Sequence, residues 1–202
     1  MHKVNVGQSA GVELVRSPRE ITLEQLNPKG RFKLDHYRDG KRIDSREFPN
    51  GITNEGKNFL LDVMFHGTSA IGTWYLGLID NSGYSALSAN DIYDNIDQSG
   101  NGWDEFKTYT DPANSDSTTS RPAWTEGASS GQVITNSSVV VFDITGTATV
   151  KGVFLCGGTN AQSKGDNTAG SAHKLWATAL FTGGDVSVLN GDQLKLTYSV
   201  SA

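Results

Sequence analysis

Apolar and polar residues alternate through "RFKLDHYRDGKRIDSREF", residues 31–48, on either side of Asp39-Gly40. Period-two alternation puts one side of a strand in a core and the other in water, and Asp-Gly readily takes the positive φ angles of a two-residue hairpin turn. The pattern predicts a hairpin over residues 31–48 in which Arg38 faces Lys41, His36 faces Ile43, Asp35 faces Asp44 and Phe32 faces Glu47. Asp35 and Asp44 repel in that register, and Lys33, Arg42 and Arg46 on the diagonals offset them, so the outer face is a solvated ladder of charge.

The period then changes. In "PNGITNEGKNFLLDVMFHG", Phe59, Leu60, Val63 and Met64 recur at helical spacing, which predicts a helix over residues 54–66. Thr53 is its N-cap, Glu55 suits the positive end of the helix dipole, and Gly67 stops it. One amphipathic helix among strands is expected to cover an open face or end of a sheet.

"GTWYLGLIDNSGYSALSANDIYDN" follows, beginning as an apolar strand over residues 73–79 that belongs deep in a core, then breaking at Asn81-Ser82-Gly83 into small and acidic residues. A strand over residues 103–110 and a polar loop, "DPANSDSTTSRP", lead to Trp124, and a loop that polar is expected at the surface. From Gly131 the chain becomes a series of short strands, at 132–135, 139–144, 148–156, 175–181, 186–189 and 194–200, separated by turn-forming runs such as "TGGD" and "NGD". This spacing predicts a mainly β protein, an antiparallel β-sandwich or jelly roll, with an N-terminal arm, a β-hairpin and one short covering helix. The division is residues 1–29 as arm and 30–202 as sandwich, because residues 1–29 are weakly patterned and carry Pro18 and Pro28, with one helical turn at most in "SPREITLEQL".

Composition sharpens this picture. A chain of 202 residues supports one core plus an arm, and 23 glycines with only 19% charged residues fit many turns rather than a helical bundle. The net charge of -5, with no dense Lys/Arg block beyond residue 46, argues against direct nucleic-acid binding. Cys156 is the only cysteine, so no intrachain disulfide can form. There is no secretory h-region and no run approaching about 18 apolar residues, so the expectation is a soluble product of the cytoplasm that does not enter a membrane.

Asp91, Asp94, Asp97, Asp104 and Glu105 fall in one acidic run, but their spacing does not wrap a calcium ion and capping of turns explains them better. Asp104 and Glu105 are adjacent and point to opposite faces of a strand, so they cannot form a glycosidase pair; Asp80 as a third carboxylate is expected to be structural. His2, His36, His66 and His173 show no ligand spacing. Cys156 ends an apolar strand and is expected to be a buried thiol. "LCGGTNAQSKGDNTAG" carries Lys164 but no phosphate-loop spacing or following helix, and is expected to be a flexible connection. No catalytic residue, metal or cofactor is therefore expected.

Several motifs together carry a resemblance: "NGITNEG" before the helix, "WYLGLID", "GWDEF", "RPAW" and the closing "ALFTGGDVSVLNGDQLKLTYSV". Over residues 30–202 the chain resembles a group of small virion structural proteins of tailed bacteriophages. The resemblance implies a non-enzymatic capsid decoration, or cement, protein on the virion surface. Its implied partners are the major capsid protein and copies of itself, as trimer or dimer. On that reading the arm and the basic hairpin residues Lys33, Arg38, Lys41, Arg42 and Arg46 reach neighbouring surfaces, and deleting the arm leaves the sandwich folded but weakens attachment. The alternative is a tail-tip or fibre-associated module that binds host glycans through Trp103, Tyr109 and Trp124. Glycan binding requires exposed aromatic rings beside carboxylates, whereas cementing requires an exposed apolar patch or an arm.

Overall fold

In the computed structural model, which describes residues 28–170 and 172–202, two antiparallel sheets face each other as a β-sandwich. The strands are β1 (Lys29–Arg38), β2 (Lys41–Pro49), β3 (Gly51–Ile52), β4 (Trp74–Asp80), β5 (Glu105–Phe106), β6 (Tyr109–Thr110) and β7 (Ala123–Trp124) in the first part of the chain. They continue as β8 (Val133–Thr135), β9 (Val140–Ile144), β10 (Ala148–Gly158), β11 (His173–Leu180), β12 (Val186–Val188) and β13 (Gln193–Ser201), and α1 (Asn54–Phe65) lies between β3 and β4. One sheet runs β2-β1-β13-β9-β6 with β8 beside β13; the other runs β3-β11-β10-β4-β5 with β12 on β10 and β7 on β4.

The two sheets differ in how they are covered, and the sequence pattern follows. In β1, β9 and β13 buried and part-exposed positions alternate, as one dry and one wet face require. In β4 and β10 the buried positions are consecutive. Leu76, Leu78, Val153 and Leu155 point into the core between the sheets, while Ile79, Phe154 and Cys156 join a second cluster with Tyr93, Ile96, Trp103, Ala161 and Leu175. The second sheet is thus dry on both faces, its outer one covered by residues 81–104 and 159–170. Gly77 lies opposite Phe154, and a Cβ there would come 2.1 Å from the Phe154 ring, so the ring occupies the space that glycine leaves.

Three expectations change. The hairpin turns at Asp39-Gly40, both with positive φ, but its register shifts between His36 and Tyr37, and Ile43 is passed over. His36 therefore faces Asp44, Asp35 faces Ser45 and Phe32 faces Phe48. The uninterrupted register would have turned Phe48 outward; the bulge puts Phe32 and Phe48 on the same inner face, stacked at 5.7 Å and fully buried. The strand expected over residues 103–110 is two short ones: β5 pairs with β4 in one sheet and β6 with β9 in the other, so the chain crosses the sandwich within six residues. Finally, Lys29 is the first residue of β1 and pairs with Ser201, which moves the start of the sandwich to residue 29; the rest of the expected arm lies outside the described residues apart from Pro28.

Candidate docking surface

Helix α1 begins where Thr53 Oγ1 accepts from the Gly56 amide at 3.0 Å and donates to the carbonyl of Leu175 in β11. Glu55 in its first turn accepts from the amides of Leu175 at 2.7 Å and Tyr93 at 2.8 Å, so the carboxylate that suits the dipole also ties the helix to the sheet. Gly56 lets the backbones close up, since a Cβ there would lie 2.7 Å from the Trp176 carbonyl oxygen. Phe59 then packs edge-on against Trp74 at 6.1 Å, and Trp74 against Trp176 at 6.0 Å.

Beyond that first turn the expected stripe divides. Phe59 is buried and Leu60 and Val63 half-buried, but Met64 is 55% exposed. Leu60, Val63 and Met64 stand over a cleft of about 500 Å³ whose far wall is Trp124, Trp176, Tyr198, Ile134 and Val200. Leu61 and Phe65, four residues apart, form a separate strip outside the cleft, 48% and 76% exposed. The helix therefore has apolar side chains on two faces and is covered on only part of one.

The hairpin cations are mostly engaged within the chain. Arg38 makes a two-pronged contact with Asp192, both bonds 2.8 Å, and His36 Nε2 lies 2.8 Å from the same carboxylate. Arg46 bonds Asp44 and the carbonyl of Gly184; Lys33 and Arg42 lie 3.4 and 3.5 Å from Asp35. Lys41, at the exposed tip, has no carboxylate within ion-pair reach among the described residues. Asp192 also accepts from the Leu189 amide, and the Arg38 bond first, then that amide and His36, hold its carboxyl well below the ordinary range.

The three aromatic residues considered for glycans lie inside the molecule. Trp103 and Tyr109 are 1% exposed and Trp124 5%. Trp103 Nε1 donates to Asp91 Oδ2 at 2.9 Å, Tyr109 packs edge-on to Phe142, and Trp124 packs edge-on to Tyr198. No ring face among the three is presented to solvent, so they do not form a stacking platform for a sugar. The acidic run caps and braces: Asp91 accepts from the Ser88 amide, Asp97 from Glu105 and Lys107, and Asp80 from Ser82. Among the described residues no three His, Cys, Asp or Glu side chains cluster as metal ligands would.

A charged site that the sequence did not disclose lies under the outer face of the second sheet. Arg121, at the end of the polar loop, is fully buried and grips the buried Glu105 with Nε and Nη2, both at 2.8 Å. Its Nη1 donates to the Ala161 carbonyl at 2.9 Å and its Nη2 also to that of Asp166 at 3.2 Å, while the Gly165 amide donates to Glu105 at 2.6 Å. The glycine-rich segment expected to be a flexible connection is thus pinned to the core, with Lys164 donating to the carbonyls of Lys107, Tyr109 and Thr118. Burial lowers the Lys164 pKa to about 8, with Glu105 and Asp111 opposing. Cys156 is buried as expected; burial pushes its thiol up to about 12 although Arg121 Nη1 is 3.7 Å from the sulfur. The one sequence signal for Arg121 was its place directly before Pro122 in "RPAW", where a polar loop meets an apolar element.

Neither family models, nor curated proteins, nor solved structures gave a match to this chain.

Proposed function

We propose that this is a non-enzymatic virion structural protein that binds the outer surface of a phage capsid and reinforces the shell by repeated contacts. The observation that carries this reading is the apolar outer strip of α1, Leu61 and Phe65 with Met64 beside them, exposed on a helix that is itself firmly bonded to the sandwich. Scattered apolar side chains such as Ile43 or Val139 are ordinary on a protein surface; three large ones within one helical turn and a half make a patch. The resemblance of the motifs to tailed-phage virion proteins supplies the partner, the major capsid protein, and copies of the chain itself as a trimer or dimer.

In this mechanism each copy contributes a modest interface, on the order of 1,000 Å², and the symmetry of the shell multiplies it. Burying the side chains of Leu61, Met64 and Phe65 contributes about 1.5–3 kcal/mol apiece when complete, less what they already bury. Exposed Lys41 at the hairpin tip remains available for acidic neighbours, whereas Arg38, Arg42 and Arg46 are engaged within the chain.

The test is co-sedimentation of the purified protein with undecorated phage heads, with tails and host envelopes as separate samples. Saturable binding to heads that is lost in Leu61→Asp/Phe65→Asp, with the circular dichroism of the variant unchanged, is the expected result. Binding to envelopes alone would overturn the capsid reading in favour of host recognition.

A further inference from the structure

The cleft between α1 and the sandwich has an occupant to find. Its walls come from the inner side of α1, from Trp74 and Trp176, and from β8 and β13, and its lining is almost wholly apolar. A cleft of about 500 Å³ is of the size that encloses a small ligand or a few side chains. Leaving it to water forfeits the burial of several large apolar side chains.

Pro28 is part of that wall, and the 27 residues before it therefore continue the chain from the cleft itself. The sequence immediately upstream is "ITLEQLN", residues 21–27, whose apolar members Ile21, Leu23 and Leu26 are separated by polar ones. We propose that the cleft is the seat of residues 21–26 of the same chain, with Leu23 and Leu26 under α1.

Chemistry and connectivity support one another here. Apolar side chains suit an apolar lining, and Leu60, Val63, Trp74, Trp176, Ile134 and Val200 supply one. Connectivity decides between this segment and any free partner. Every residue from 21 to 26 lies within about 25 Å of Pro28 even when fully extended, and so short a tether gives an effective concentration in the millimolar range. A second copy or a shell protein must displace it. The outer strip of Leu61 and Phe65 is not part of the cleft and stays free, so Met64 is the one residue this inference shares with the capsid reading.

The experiment uses the full chain with cysteines at two positions, Leu26→Cys/Val63→Cys, under mild oxidation; Cys156 is buried and serves as an internal control for specificity. The expected product is a disulfide within one chain, seen by mass and by its mobility on a denaturing gel at low protein concentration. Alongside it, Leu23→Asp/Leu26→Asp should bind an apolar fluorescent dye severalfold more than wild type, while Val12→Asp/Leu14→Asp should not. A wild-type protein that already binds the dye saturably has an open cleft, and that result overturns the proposal. So does an absence of cross-linking in folded protein, or cross-linking only between chains, which would assign the cleft to a second copy.

Discussion

Arg121 illustrates what a single side chain does in this molecule. Its guanidinium replaces water for Glu105 and for two loop carbonyls, so both members of the buried ion pair are partnered. A buried ion pair adds little over an apolar pair of the same volume, but removing one member leaves the other charged and dry. Arg121→Met is therefore expected to cost about 3–5 kcal/mol, and Arg121→Met/Glu105→Leu less than the single change. Urea unfolding midpoints of the two variants check this; a double variant worse than the single one would assign Arg121 its importance through the loop carbonyls instead. Arg121 belongs by sequence to a polar loop expected at the surface, because nothing local distinguishes a buried arginine from a solvated one. Its partners, Glu105, Ala161 and Asp166, are 16 to 45 residues away. A tryptophan beside a polar loop can pack or protrude, and nothing local decides between the two for Trp103 or Trp124, both of which pack.

Among the elements, those fixed by local chemistry were legible. Thr53, Glu55 and the residues after them specify α1 to within a residue, and the strands from β9 onward follow the runs of apolar residues and the turns between them. What escaped depends on distant partners. The hairpin bulge exists because Phe48 must reach a core built by β1 and β11, and the division of residues 103–110 exists because β5 and β6 answer to different sheets. The cleft was illegible for the same reason: it forms where α1 diverges from β8 and β13, segments about 70 residues or more away in sequence. Helix α1 also lets two local effects be compared. Gly56→Ala raises intrinsic helix propensity by about 1 kcal/mol, but its methyl would meet the Trp176 carbonyl, and such overpacking costs about 1–3 kcal/mol. The variant is expected to be less stable than wild type in thermal unfolding. A higher midpoint would mean that the helix can move off β11 at little cost.

At the scale of the whole molecule, Asp192 couples the hairpin to the turn between β12 and β13, and it makes stability depend on pH. Its folded-state pKa lies below the ordinary value of about 3.9, so on acidification the unfolded chain takes up a proton that the folded one refuses. The stabilisation is complete above about pH 5 and is lost progressively below it. Asp192→Asn is expected to lower stability at pH 7 by about 2–4 kcal/mol and to show a smaller further loss between pH 5 and pH 3 than wild type, measured by urea unfolding at each pH. Equal acid losses in the two proteins would show that other carboxylates govern the response. The short outermost strands have a consequence of a different kind. The second sheet ends in β3 and β5 and the first in β6, each two residues long, while β2 ends the other side with a bulge at Ile43 and with Lys41, Arg42, Arg46 and Glu47 along it. A long, flat, uncharged border would let one sandwich extend into the next and grow into a fibre. The described residues offer no such template, so copies of the sandwich can lie side by side and still remain separate bodies.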